Sequence, residues 1–270
     1  MERQFERNSF GKRIKSMLKV DFRRAFTTPL LYIIVGACFV MPILILVMTT
    51  MMGTTTIDPV TQEEVAVETF TNVWQAIGAA SGANVNAGMD MSLTGMCNIN
   101  MLYFFIAVWV GLFVAEDFRS GYAKNLFTVR VKKTDYVISK TLVGFVGGVC
   151  MLIAFFVGAM LGGGIAKLPF DLAEVGTSVG GIVACMLAKI FLVLVFVAID
   201  LAVAVAAKQR AWLSVLGSLC VGMLLFTMIP MITPLNSTFL HVILSLAGGG
   251  LFSVGIGAIS NLILKKTSLV

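Results

Sequence analysis

Histidine occurs once in 270 residues, at His241. Cysteine occurs five times, at Cys38, Cys97, Cys150, Cys185 and Cys220, each in or beside a different apolar stretch and none close to another. A zinc centre needs clustered His and Cys, and a disulfide framework needs paired spacings, so neither is expected. The single histidine also leaves no basis for a His-dependent catalytic site. The loop GxxxxGK[ST], whose amides cradle nucleotide phosphates, is missing, so the chain is expected to bind no ATP and no other cofactor by itself. Charged residues make up only 13% of the chain, and the apolar stretches hold no cluster of carboxylates of the kind that proton-coupled carriers use.

What is present is apolar. Hydrophobic residues make up 58% of the sequence, more than a soluble domain of this length can bury, so the expected class is an all-α polytopic membrane protein. Six runs reach the length of a bilayer crossing, at roughly 30–52, 99–115, 141–166, 181–207, 212–232 and 241–264. The first lies behind a basic segment and is too long for the core of a signal peptide, so it is expected to stay as an anchor. Eight Lys and Arg lie in 1–29, six in 116–140, and Lys208, Arg210, Lys265 and Lys266 follow the fourth and sixth runs. In a six-span arrangement these all fall on one side, and the positive-inside rule places that side, with both termini, in the cytoplasm. The chain thus divides into an interfacial segment, 1–29, and a transmembrane domain, 30–270.

Within 1–29, Phe10, Ile14, Leu18 and Phe22 recur at helical spacing, with Met17, Ala25 and Phe26 beside them and Lys and Arg on the other face. This predicts a basic amphipathic helix lying in the inner interface, its cations near anionic headgroups. The opposite loop, 53–98, has no cation and carries Asp58, Glu63, Glu64, Glu68 and Asp90. Phe70, Val73, Trp74 and Ile77 in it predict a short helix on the outer surface, with Trp74 at headgroup level. Pro42 predicts a kink in the first span, and Pro230 and Pro234 a broken end to the fifth. Gly144 with Gly148 and Gly158 with Gly162 are small-xxx-small pairs that suit close helix approach, within the chain or between subunits. Two ionisable residues fall inside the fourth span, Lys189 and Asp200. Eleven residues apart, they share a helix face about 16 Å apart, too far for an ion pair, and are candidates to line a translocation path.

The stretch EDFRSGYAKNLFTVRVKKTDYVISK, residues 116–140, is a polar insert between the second and third spans. Asp117 can cap a helix whose Phe118, Tyr122 and Leu126 fall at i, i+4 and i+8, offering a stripe to a protein groove. Glu116, Gly121, Leu126 with Phe127, Lys133 and Lys140 follow in an order and spacing that resembles the permease subunits of type-2 ATP-binding-cassette exporters. Tyr122, Arg130 and the Lys132–Lys133 pair depart from the pattern, standing where threonine, proline and Ser-Arg are frequent. The resemblance implies a short cytoplasmic coupling helix in this loop, received by an ATPase subunit that carries ATP and Mg. It implies two such ATPase copies per complex and a second permease, identical or related, in a bacterial plasma membrane. The docking residues it implies are Glu116, Asp117, Phe118, Arg119, Gly121, Tyr122 and Leu126. Membrane lipids are expected partners and nucleic acid is not.

The function that follows is export of an amphipathic or hydrophobic molecule, a peptide such as a bacteriocin or a drug-like compound, by a chain that is not itself an enzyme. The spans are methionine-rich, in a chain with 16 methionines, which suits varied shapes. Two other readings stand beside it: a membrane scaffold or sensor that binds partners through the same loop, and an intramembrane enzyme using Glu63 and Glu64, which have no histidine partner in a neighbouring span.

Overall fold

The computed structural model describes residues 10–52, 55–57, 64–66, 70–78, 97–128, 132–208, 210–226 and 229–266. Most of loop 53–98, including Glu63, and Arg130 lie outside these. The first two helices, α1 (Phe10–Thr27) and α2 (Pro29–Met52), are separated by Thr28 alone. Pro29 opens α2, where its missing amide hydrogen would have had no acceptor within the helix. The helix α2 continues through Pro42. Two short strands, β1 (Thr55–Ile57) and β2 (Glu64–Ala66), pair antiparallel with Thr56 opposite Val65.

Next come α3 (Leu102–Arg119), α4 (Tyr122–Thr128) and α5 (Lys133–Ile165). The polar insert is therefore mostly helix. The second span does not stop at 115: α3 runs on to Arg119, and Ser120 still donates its amide to the Glu116 carbonyl at 2.9 Å. Gly121 makes the turn with φ +74°, a left-handed conformation that a Cβ would disfavour. The third span likewise begins at Lys133 rather than 141. With 33 residues, α5 is about 50 Å long.

Then follow α6 (Val179–Ala207), α7 (Ala211–Phe226), α8 (Ile229–Ile232) and α9 (Phe239–Lys266). Ser178 caps α6, its hydroxyl accepting from the Gly181 amide at 3.2 Å. Among the described residues, five helices are long and apolar enough to cross a membrane: α2, α3 with the turn before it, α5, α6 and α9. Of the expected fifth span, 212–232, residues Ala211–Phe226 form the apolar helix α7 and Ile229–Ile232 the helical turn α8, and residues 227–228 between them lie outside the described residues.

At the centre, α5 touches α1, α2, α3 and α6, while α9 lies along α6 and α7 rests on α3 and α6. Glycine sets these approaches. A Cβ at Gly144 or Gly148 would lie 2.5 Å from Val197 or Val193 of α6, and one at Gly162 would lie 2.8 Å from the Ile43 Cα of α2. Gly158 sits against the Phe39 carbonyl of α2. Both glycine pairs therefore serve packing within the chain.

The segment after the strands departs from expectation. Residues Val73–Ala76 form a 3₁₀ turn capped by Asn72, not a helix lying on the surface. Phe70, Val73 and Ile77 are buried, Val73 against Gly163 of α5. The Trp74 indole donates to the Phe170 carbonyl at 3.0 Å, so loop 167–177 covers this turn. The stripe is real, but its partner is the chain itself.

Candidate functional site

The α1 helix carries an acid in its apolar stripe. Met17, Asp21 and Ala25 face inward and are buried, Ile14, Leu18 and Phe22 flank them half-buried, and Phe10 is exposed. The inward face meets α5, where Lys140 is buried one turn beyond Tyr136. The Lys140 ammonium lies 3.0 Å from Asp21 Oδ1 and 2.6 Å from Asp117 Oδ2 of α3. The second oxygen of Asp21 accepts from the Ser139 hydroxyl at 2.6 Å. Asp117 also accepts from Arg24 of α1 at 2.6 Å and from the Tyr136 hydroxyl at 3.0 Å. Two cations and two carboxylates thus neutralise one another across three helices. A buried pair holds together only with such added hydrogen bonds, since each ion gives up its water.

Aromatic faces close the cluster. The Lys140 ammonium lies 4.0 Å from the Phe113 ring centroid, and the Arg24 guanidinium 4.0 Å from that of Tyr122, at the start of α4. Burial pushes the Tyr122 hydroxyl pKa up, and Asp21 and Asp117 push it further, against the pull of Arg24. For Arg24, burial lowers the pKa but Asp117 more than restores it, so the net direction is up. Farther along, Arg13 Nε donates to Asp135 Oδ2 at 3.0 Å, a second tie between α1 and α5.

This arrangement sorts the loop residues singled out from sequence. Asp117 does not cap a helix; it lies in the last turn of α3, fully buried. Phe118 is buried with its ring edge-on to Tyr136, and Tyr122 and Leu126 are half-covered. Glu116 and Arg119 are exposed, Gly121 is the turn, and Lys124, Asn125 and Thr128 face outward from α4. The surface this hairpin offers is polar, and its aromatic stripe faces α1 and α5.

The two charges of α6 lie elsewhere. Lys189 is buried, donating to Asn100 Oδ1 at 2.7 Å and Thr233 Oγ1 at 3.0 Å. It thereby pins the turn before α3 and the segment after α8 to α6. Asp200 is buried against α7 with no salt bridge among the described residues; Ser218 faces it, but no hydrogen bond closes onto Oδ2. Tyr103 and Phe196 stack at 4.4 Å between these two levels.

A family model described as ABC-2 family transporter protein matches residues 27–225, from the end of α1 almost to the end of α7. The chain belongs to the ABC-2 transporter family. No curated protein and no solved structure matches it. The ABC-2 match covers the α3–α4–α5 hairpin and both charges of α6, and it makes the chain a multi-pass membrane component of a type-2 ABC transporter, a permease subunit.

Sequence reading missed Asp21, Tyr136, Ser139, Asn100, Thr233 and Ser218. Asp21 left a signal: it stands four residues from both Met17 and Ala25, an acid in the centre of an apolar stripe.

Proposed function

We propose that the chain is the permease of an exporter that moves an amphipathic or hydrophobic molecule, a peptide or drug-like compound, outward across a bacterial plasma membrane. A separate cytoplasmic ATPase subunit, two copies per complex, hydrolyses ATP with Mg and grips the α3–α4–α5 hairpin. A second permease, identical or related, completes the path, and lipids surround it. The observation that carries this reading is the charge cluster under the hairpin. Asp21, Asp117, Lys140 and Arg24 tie α1, α3 and α5 together, and α4 joins them where the Tyr122 ring lies against Arg24, so a push on α4 is expected to move these helices together. A loop that only obeyed charge placement would not need this ionic cluster beneath it.

Docking falls on Glu116, Arg119, Lys124 and Asn125, the exposed residues, with Gly121 shaping the turn and Leu126 half-exposed at the rim. Asp117, Phe118 and Tyr122 hold this surface in place from beneath. Lys189 and Asp200 mark the translocation path through α6. Arg119→Glu with Lys124→Glu reverses the exposed charge without touching the buried cluster. In co-purification this variant is expected to lose most of the bound ATPase subunit while keeping its own melting behaviour. Full recovery of the ATPase with the variant would refute the docking surface.

A further inference from the structure

Lys133 is the first residue of α5 and is half-buried there. A helix start carries the positive end of the backbone dipole, which disfavours a cation. Lys133 instead reaches across to α9 and donates to the Leu264 carbonyl, 131 positions along the chain. That carbonyl is one of the last four of α9, which no amide within the helix can reach. The bond therefore satisfies an orphan acceptor and places the charge where the α9 dipole favours it. Leu264 itself is fully buried, so the turn that accepts the bond is packed into the core.

The same ammonium lies 5.9 Å from the Phe127 ring centroid of α4, within reach of a cation–π attraction. Phe127 in turn sets its ring edge-on to Tyr136 at 5.5 Å, and Tyr136 donates to Asp117. Lys133 thus stands between the hairpin helix and the last turn of α9. The ions Asp21, Asp117, Lys140 and Arg24 lie on α1, α3 and α5, and among the described residues α9 adds none to that cluster.

We propose that Lys133 is a positioning residue through which movement of α4 is carried to α9. Phe127 and the Leu264 carbonyl share one ammonium, so a shift of α4 moves the charge that caps α9 and changes how firmly that last turn is held. This rests on the permease reading and deepens it: the last helix joins those that the ATPase subunit can move.

Amide hydrogen exchange, read by mass spectrometry on the purified complex of permease and ATPase subunit, reports on the turn at residues 260–266, with residues 244–252 of the same helix as reference. Lys133→Met is expected to speed exchange of the last turn about fivefold, the scale of a charge lost from a helix end, and Lys133→Arg to leave it unchanged. Phe127→Leu separates a relay from a plain cap. A relay speeds exchange at 260–266 with Phe127→Leu and gains nothing further from it in the Lys133→Met background. A lysine that only caps α9 gives no effect of Phe127→Leu, or one that adds in full to that of Lys133→Met. Either result overturns the proposal, as does unchanged exchange with Lys133→Met. Should Lys133→Met fail to assemble, Phe127→Leu alone decides: faster exchange at 260–266 with none at 244–252 upholds the relay, and any other pattern overturns it. ATP is expected to change exchange at 260–266 with Lys133 or Lys133→Arg and not with Lys133→Met. An equal response with Lys133→Met overturns the relay, whereas a response to ATP missing from every variant counts against the permease reading and leaves the relay standing.

Discussion

Lys140 is the residue on which the inner cluster turns, because it alone touches both carboxylates. Lys140→Met keeps most of the side-chain volume and removes the charge, leaving Asp21 and Asp117 facing each other with Arg24 as their remaining cation. Breaking a buried pair in this way costs roughly 3–5 kcal/mol. The variant is expected to unfold at lower temperature, and protease cleavage between α1 and α2 is expected to quicken. Unchanged melting and cleavage would show that the cluster is not holding α1. The importance of Lys140 was only half legible in the sequence. It entered through the resemblance, as a cation at the mouth of a span, while its carboxylate partners stand on two other helices, Asp21 on α1 and Asp117 on α3. Periodicity reports which face of a helix is apolar, not which distant carboxylate that face will meet. The same holds for Lys189, which composition marked as costly and whose acceptors, Asn100 and Thr233, stand 89 and 44 residues away.

At the scale of elements, the glycine pattern of α5 was legible and the ends of the helices were not. Gly144, Gly148, Gly158 and Gly162 lie where α2 and α6 come close, as their spacing suggested. Gly162→Ala would place a methyl 2.8 Å from the Ile43 backbone and is expected to destabilise by roughly 1–3 kcal/mol. Gly164→Ala meets nothing within 4 Å and is expected to be neutral or to stabilise by up to about 1 kcal/mol through helix propensity. Thermal unfolding in one detergent measures both; equal effects would show that the α2–α5 approach is not tight. The ends were misjudged because hydropathy stops where polarity starts. Residues 116–119 and 133–140 are polar, yet they continue the helices, since their side chains neutralise one another at the bundle's end.

For the whole molecule, the α1 end gathers exposed Lys12, Lys15, Lys19, Arg23, Lys124, Lys132, Lys208, Arg210, Lys265 and Lys266. With the positive-inside rule, this end is expected to face the cytoplasm. Lys19→Cys and Asp171→Cys, probed with a membrane-impermeant maleimide, test it. Asp171→Cys should label in intact cells and Lys19→Cys only after the membrane is opened. Labelling of Lys19→Cys in intact cells would invert the arrangement and separate the hairpin from any cytoplasmic ATPase. The overall class was readable from composition, and the gathering of cations at one end from their placement in the sequence.

The length of α5 carries one more implication. At about 50 Å it is a stiff strut, clamped near one tip by ions and notched near the other where Gly163 receives Val73. Tilting such a strut by about 5° displaces the distant tip by roughly 4 Å, geometry following directly from its rise per residue. A movement small enough to keep every ionic contact at the near tip would still dislodge the Val73 turn beneath its covering loop. On the permease reading, a slight tug at the ionic tip is expected to reach the opposite side of the bilayer as a loosening of that turn.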